Sequence, residues 1–276
     1  LRAFAHVACN QTCLDKSISE PSFNLEDPDV NIREAKGELV GGGVTGLVER
    51  LKSGDVVKSP WLAAPNCLRE MAVEAQIYER LGAHPRLVEM KHWDPASHVL
   101  TLEYMPHGNL KEYVQEHRHE ISPAQKQQWV QEAAEGVELL HSRGVIQSDV
   151  GPHNLLLDAH LSLRICDFAG SSLDGSQAMV LSGVRYRMPG LERATTVAED
   201  LFALGSTIYF IATGHEPWEE VADEDDVEKL YADGVFPDLG GVMFAEIIAL
   251  CWRQEVDSAK MISRLVVRSS EEGQLP

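Results

Sequence analysis

Apolar residues change their spacing at Pro106-His107-Gly108, and that change divides the chain. Before it, from Gly37 to Tyr104, they come in short β-branched runs punctuated by Gly and Asp, with one helical stretch over residues 65–81. After it they recur at helical spacing. The sequence predicts strands at Leu39-Val40, Leu47 to Leu51 and Val56 to Lys58, with a turn at Ser53-Gly54-Asp55. Two more are expected near Leu87 to Lys91 and Val99 to Glu103. Helices are expected over residues 109–117, 123–143, 199–212, 224–231, 242–253 and 257–267. The class is α+β: a small antiparallel sheet with one helix, followed by a larger, mostly helical part.

Residues 1–36 hold Asn, Ser, Pro and Asp clusters without periodicity and read as an N-terminal extension. The folded domain is expected over 37–268, divided into 37–105 and 106–268, with 269–276 as a tail.

Charge narrows the partners. With 24 basic and 43 acidic residues the net charge is −19, so nucleic acid and anionic membrane surfaces are poor partners, neither is expected, and a basic substrate fits better. Simple solubility accounts for the same charge. Cys9, Cys13, Cys67, Cys166 and Cys251 are scattered; Cys9 and Cys13 lack a second pair to complete a metal site and read as reduced thiols. The longest apolar stretch, Leu201 to Thr213, is too short to span a bilayer, and no signal-peptide pattern stands out. An intracellular protein, cytoplasmic or nuclear, is expected.

The chemistry concentrates in two loops. Asp149 and Asn154 lie five positions apart, and Asp167-Phe168-Ala169 follows thirteen residues later, around the strand pair Leu155 to Leu157 and Leu163 to Ile165. Three oxygen-bearing side chains so placed suit holding Mg²⁺ against a polyphosphate while a carboxylate takes a proton from a hydroxyl. Upstream, Gly41, Gly43 and Gly46 satisfy G-x-G-x-x-G-x-V with Val48, a spacing that lets backbone amides approach phosphate. A glycine-rich hairpin turn gives the same string. Lys58 ends an apolar strand twelve residues later, and an exposed strand-end lysine is its other reading. Glu74 shares a helix face with Ile77 and Leu81; a carboxylate in an apolar stripe points inward and needs a cation, for which Lys58 is the candidate.

Together these strings resemble the eukaryotic protein kinase superfamily, in a divergent form similar to a group of fungal kinase-domain proteins. The resemblance covers about Gly37 to Val267 and implies a bilobal protein-kinase-like fold that uses ATP with Mg²⁺ or Mn²⁺. It implies that Lys58 pairs with the α- and β-phosphates and with Glu74, that Asp149 is the proton acceptor, and that Asn154 and Asp167 hold metal. The segment Leu100 to Leu110 resembles the hinge: Leu102 is the implied gatekeeper, the backbones of Glu103 and Met105 read adenine, and Val40, Val48, Val56 and Leu156 supply apolar walls. Asp200, opening Asp200 to Gly205, is implied to anchor the catalytic-loop backbone, and Pro217-Trp218 to pack where the family places a Pro-aromatic pair.

Departures are expected to slow transfer. Gln147-Ser148 stand where His-Arg precede the catalytic aspartate, so activation through a loop phosphate gripped by that arginine is not expected. Gly151 replaces a lysine and Gly183 a threonine, Ala169 the glycine after Asp167-Phe168, and Gly190 the glutamate after Met188-Pro189, with Asp257-Ser258-Ala259 where its arginine partner belongs. A missing cation at a phosphoryl transition state costs roughly two to three powers of ten in rate. Lys58, Glu74, Asp149, Asn154 and Asp167 are all retained. A serine/threonine protein kinase is therefore the first expectation, a nucleotide-binding pseudokinase the second and a small-molecule kinase the third.

Overall fold

The computed structural model describes residues 35–61, 64–190 and 195–271, so nearly all of the N-terminal extension, with Cys9 and Cys13, lies outside it. The chain forms two compact units. One runs through Ala72 and takes in Lys91–Glu103; the other holds Val73–Met90 and the chain from Tyr104 on. This differs from a single cut at residue 105.

The first unit is a five-stranded antiparallel sheet: β1 (Glu38–Gly42), β2 (Gly46–Arg50), β3 (Val56–Pro60), β4 (Met90–Asp94) and β5 (Val99–Leu102), in the order β1-β2-β3-β5-β4. β3 is buried along its whole length, as a central strand rich in β-branched residues should be. Its register sets Lys58 opposite Val48 and Leu100, and Val56 opposite Leu102. Gly46 is fixed by packing, since a Cβ there would lie 2.0 Å from the Ser59 carbonyl oxygen. The Ser53-Gly54-Asp55 turn forms, with Gly54 at φ +99°.

Helix α1 (Pro65–Leu81) has the predicted bounds and is shared between the units. Met71, Ala75, Ile77, Tyr78 and Leu81 line its buried side. β4 corrects the sequence reading by three residues. Leu87 and Val88 are buried against a different partner: Leu87 bridges Ile165, Val88 N donates to Ile165 O at 3.2 Å, and Ile165 N to Arg86 O at 2.8 Å. Apolar spacing marked those residues as buried; it does not name the neighbour that buries them.

The second unit contains α2 (Leu110–His117), α3 (Pro123–Ser142), α4 (Val197–Thr213), α5 (Glu224–Ala232), α6 (Ala245–Trp252) and α7 (Ala259–Glu271). Asn109 and Ser122 cap α2 and α3, accepting from Glu112 N at 2.9 Å and Gln125 N at 3.1 Å. A Thr196–Glu199 capping box opens α4, and Gly214 at φ +75° closes it. α4 is apolar nearly all round and accordingly buried, packed against α3 and α6, with Trp252 Nε1 donating to Ser206 Oγ at 3.0 Å. α6 begins three residues later than expected because Phe244 precedes it in the left-handed region at φ +63°. α7 begins at Ala259 and runs to Glu271, into the expected tail. Two ribbons complete the unit: β7 (Leu155–Leu157) with β8 (Leu163–Ile165), as predicted, and β6 (Val145–Ile146) with β9 (Ser172–Leu173), which are too short to show periodicity. Among the described residues no helix is long and apolar enough to cross a membrane.

Candidate active site

In the sheet unit the glycine string forms a turn between β1 and β2, closed by Gly43 N donating to Gly46 O at 2.9 Å. Trp61, which the sequence reading did not single out, holds this turn: its Nε1 donates to Gly43 O at 2.9 Å and its backbone N to Thr45 O at 3.2 Å. Gly43 differs from Gly46. A Cβ on Gly43 would meet nothing within 4 Å, so neither packing nor a positive φ demands glycine there. Open space at a backbone that Trp61 holds would admit a phosphate.

Lys58 is only 7% exposed, which removes the reading as an exposed strand-end lysine. Leu102 and Val56 are buried beside one another across the β3–β5 pairing, Val48 is half-buried and Val40 is exposed. Gly41 lies in β1 and Glu103 directly follows β5.

In the helical unit Asp149 and Asn154 are brought together by the 3₁₀ turn Pro152–Asn154. Asn154 Nδ2 donates to Asp149 O at 3.0 Å and to Asp149 Oδ2 at 3.1 Å. That bonding leaves Asn154 Oδ1 as the oxygen a cation could use. Asn154 O accepts from Cys166 N at 3.0 Å, tying the catalytic loop to the residue before Asp167. Asp167 adopts φ +61°, and Phe168 and Ala169 after it are buried. Among the described residues no group of three or more His, Cys, Asp or Glu could hold a metal. The two candidate donors, the Asn154 amide oxygen and the Asp167 carboxylate, are oxygen ligands of the kind that would suit Mg²⁺, an ion that keeps waters and substrate phosphates as its remaining ligands.

Glu74 faces inward as expected and is fully buried; its Oε1 accepts from Phe168 N at 3.4 Å. The Phe168 ring meets Tyr78 edge-on at 5.0 Å. Burial, reinforced by the Glu74 charge, pushes the Tyr78 phenol well up. Met105 is buried, with its carbonyl accepting from Gly108 N at 3.2 Å, and Leu156 is half-buried and bridges Asn109.

The loop is anchored as the resemblance implied. Asp200, 1% exposed, accepts from Gln147 N at 2.9 Å on Oδ2 and from Ser148 N at 2.8 Å on Oδ1. His141 Nε2 completes the network at 2.9 Å from Oδ2. Gln147 does more than fill the place of a ring: its Nε2 donates to Cys166 O at 2.9 Å and to Asp167 O at 3.5 Å. Gly190 sits at φ +82°, a backbone glycine favours, and Arg185, earlier in the same segment, donates to Pro217 O at 3.2 Å and to Val221 O at 2.8 Å.

His153 was also missed. Its Nε2 lies 3.1 Å from Asp149 Oδ2. Desolvation by the surrounding protein atoms disfavours the charged ring, but the hydrogen bond and charge of Asp149 outweigh it and hold the His153 pKa above its ordinary value.

Comparison with known proteins agrees with this geometry. The family model described as "Protein kinase domain" matches residues 37–260. The chain is 30% identical over 171 residues to an L-type lectin-domain containing receptor kinase S.1 of Arabidopsis thaliana, covering 57% of this chain and 26% of that protein. It is 27% identical over 215 residues to mitogen-activated protein kinase kinase kinase 3 of the same plant, covering 69% of this chain and 32% of the relative. Against an Aurora kinase of Eremothecium gossypii it is 26% identical over 231 residues, covering 78% and 61%. The chain thus spans about a quarter to three-fifths of these relatives' lengths. With the family model matched across both units, the chain belongs to the protein kinase family.

Proposed function

We propose that this protein is an ATP-dependent phosphotransferase acting on serine or threonine hydroxyls of proteins, with slow turnover. The observation that carries the reading is the Asp149 carboxylate, fixed through Oδ2 by Asn154 on a loop that Asp200 anchors from beneath. A carboxylate so held is suited to orient a hydroxyl and take its proton.

ATP supplies the phosphoryl group. As the substrate oxygen bonds to the γ-phosphorus and the bond to the ADP oxygen breaks, the hydroxyl proton passes to Asp149. Lys58 is assigned to the α- and β-phosphates and to Glu74, and the Gly41–Gly46 turn to the phosphate backbone. Asn154 Oδ1 and Asp167 are assigned to Mg²⁺ or Mn²⁺. Leu102, Glu103, Met105, Val40, Val48, Val56 and Leu156 are assigned to the adenine. The net charge of −19 favours basic protein substrates over nucleic acid or anionic membranes. An intracellular setting, cytoplasmic or nuclear, belongs to the same proposal.

A pseudokinase reading is favoured by one feature: Gly151 and Gly183 put no side chain where the resemblance places a lysine and a threonine. ATP binding without transfer, indifferent to Asp149→Ala, is its signature. Radiolabelled ATP offered with basic peptides and small alcohols side by side separates the two transfer activities from a pseudokinase, which labels neither. Label on peptide supports the proposal; label only on an alcohol gives a small-molecule kinase.

A further inference from the structure

Gly151 raises a question that its backbone does not answer. With φ −168° and ψ 163° it is extended, a conformation open to any residue. What excludes a side chain is His153: a Cβ at position 151 would lie 2.5 Å from the ring Cε1 and 2.8 Å from Nδ1. The ring is folded back over Gly151 by the turn of Pro152–Asn154, and its Nε2 meets Asp149 Oδ2 at 3.1 Å. A carboxylate only accepts, so Nε2 carries the hydrogen. The same Oδ2 accepts from Asn154 Nδ2 at 3.1 Å.

We propose that His153 is a positioning residue for Asp149: its Nε2–H and the Asn154 amide together fix Oδ2, so that Oδ1 is the oxygen that takes the substrate proton, and Gly151 is the space the ring requires. Two donors on one oxygen oppose rotation of the carboxylate. The His153 side chain is 41% exposed, so the ring can be changed without emptying a core. Positions 151 and 153 are then one device, since any side chain at 151 displaces the ring and breaks its bond to Asp149. The role rests on the phosphotransferase reading; the contact does not.

The test uses the full chain in steady-state transfer assays with His153→Ala, His153→Gln, Gly151→Ala and the Gly151→Ala/His153→Ala double variant. The expected result is a kcat about tenfold or more lower for His153→Ala, with the KM for ATP within about twofold. His153→Gln recovers part of the loss, because its amide can donate to Oδ2. Gly151→Ala alone is similarly slow, and the double variant is no slower than His153→Ala. Parental kcat in His153→Ala, or losses that multiply in the double variant, overturns the proposal. A second readout needs no activity: the ¹H–¹⁵N imidazole spectrum of the parent shows a hydrogen-bonded Nε2–H of His153 protected from exchange with water, and that resonance is lost in Asp149→Ala. A ring in the Nδ1–H tautomer overturns the contact. If the parent transfers no phosphate, the functional reading fails, and the spectrum alone decides whether His153 holds Asp149.

Discussion

The Ser148 amide donates to Asp200 Oδ1 at 2.8 Å, and the Ser148 backbone it restrains sits at φ +61°, outside the usual range of a non-glycine residue. The aspartate therefore holds in place a loop conformation that the chain would not adopt unaided.

Asp200→Ala removes the acceptor of two backbone amides within a buried network. The expected loss is about 3 kcal/mol of folding stability, or a melting temperature lower by about 6–10 °C. Differential scanning calorimetry measures it, and a shift under about 1 °C would show that Asp200 anchors nothing.

The two glycines of the turn should separate stability from binding. Gly46→Ala drives a Cβ to 2.0 Å from Ser59 O, so the sheet must shift and the melting temperature should fall by several degrees, equivalent to about 1–3 kcal/mol. Gly43→Ala meets no atom within 4 Å and should leave the melting temperature unchanged while weakening ATP binding several-fold in titration calorimetry. Unchanged ATP affinity in Gly43→Ala would contradict a phosphate cradle at this turn.

Much of this was legible in the sequence because local signals and tertiary structure agree. α1 has its predicted bounds since Ile77 and Leu81, flanked by Met71 and Tyr78, mark one helix face, and all four are buried. Glu74 was read as inward-facing because a carboxylate in such a stripe has nowhere else to go, and it is fully buried. What was not legible depends on partners distant in sequence. Trp61 bonded to the glycine turn, His141 beside Asp200 and Gln147 across to Cys166 make contacts that no periodicity announces. Gly151 looked like a loss and acquired a steric reason only once the His153 ring was placed over it.

Acid should weaken the helical unit through Asp158. Its partial burial raises the pKa, but bonds from His160 N, Ser162 N and Arg164 outweigh that and hold the carboxyl below its ordinary value. A folded pKa below the unfolded one gives stability that is complete above the unfolded value and lost as pH falls through the folded one. Urea unfolding followed downward from about pH 5 should therefore show a loss below about pH 4 that is smaller in Asp158→Asn. Identical pH profiles for parent and variant would remove Asp158 from the account.

The central claim is that this divergent set of side chains transfers phosphate. Its most direct measurement is label transfer from [γ-³²P]ATP with Mg²⁺ or Mn²⁺ in the parent, Lys58→Met and Asp167→Asn proteins, with nucleotide binding monitored in parallel. Transfer by the parent at least about a hundredfold above both variants is the predicted result. A parent that binds ATP yet transfers no more phosphate than the variants contradicts the claim and leaves a pseudokinase.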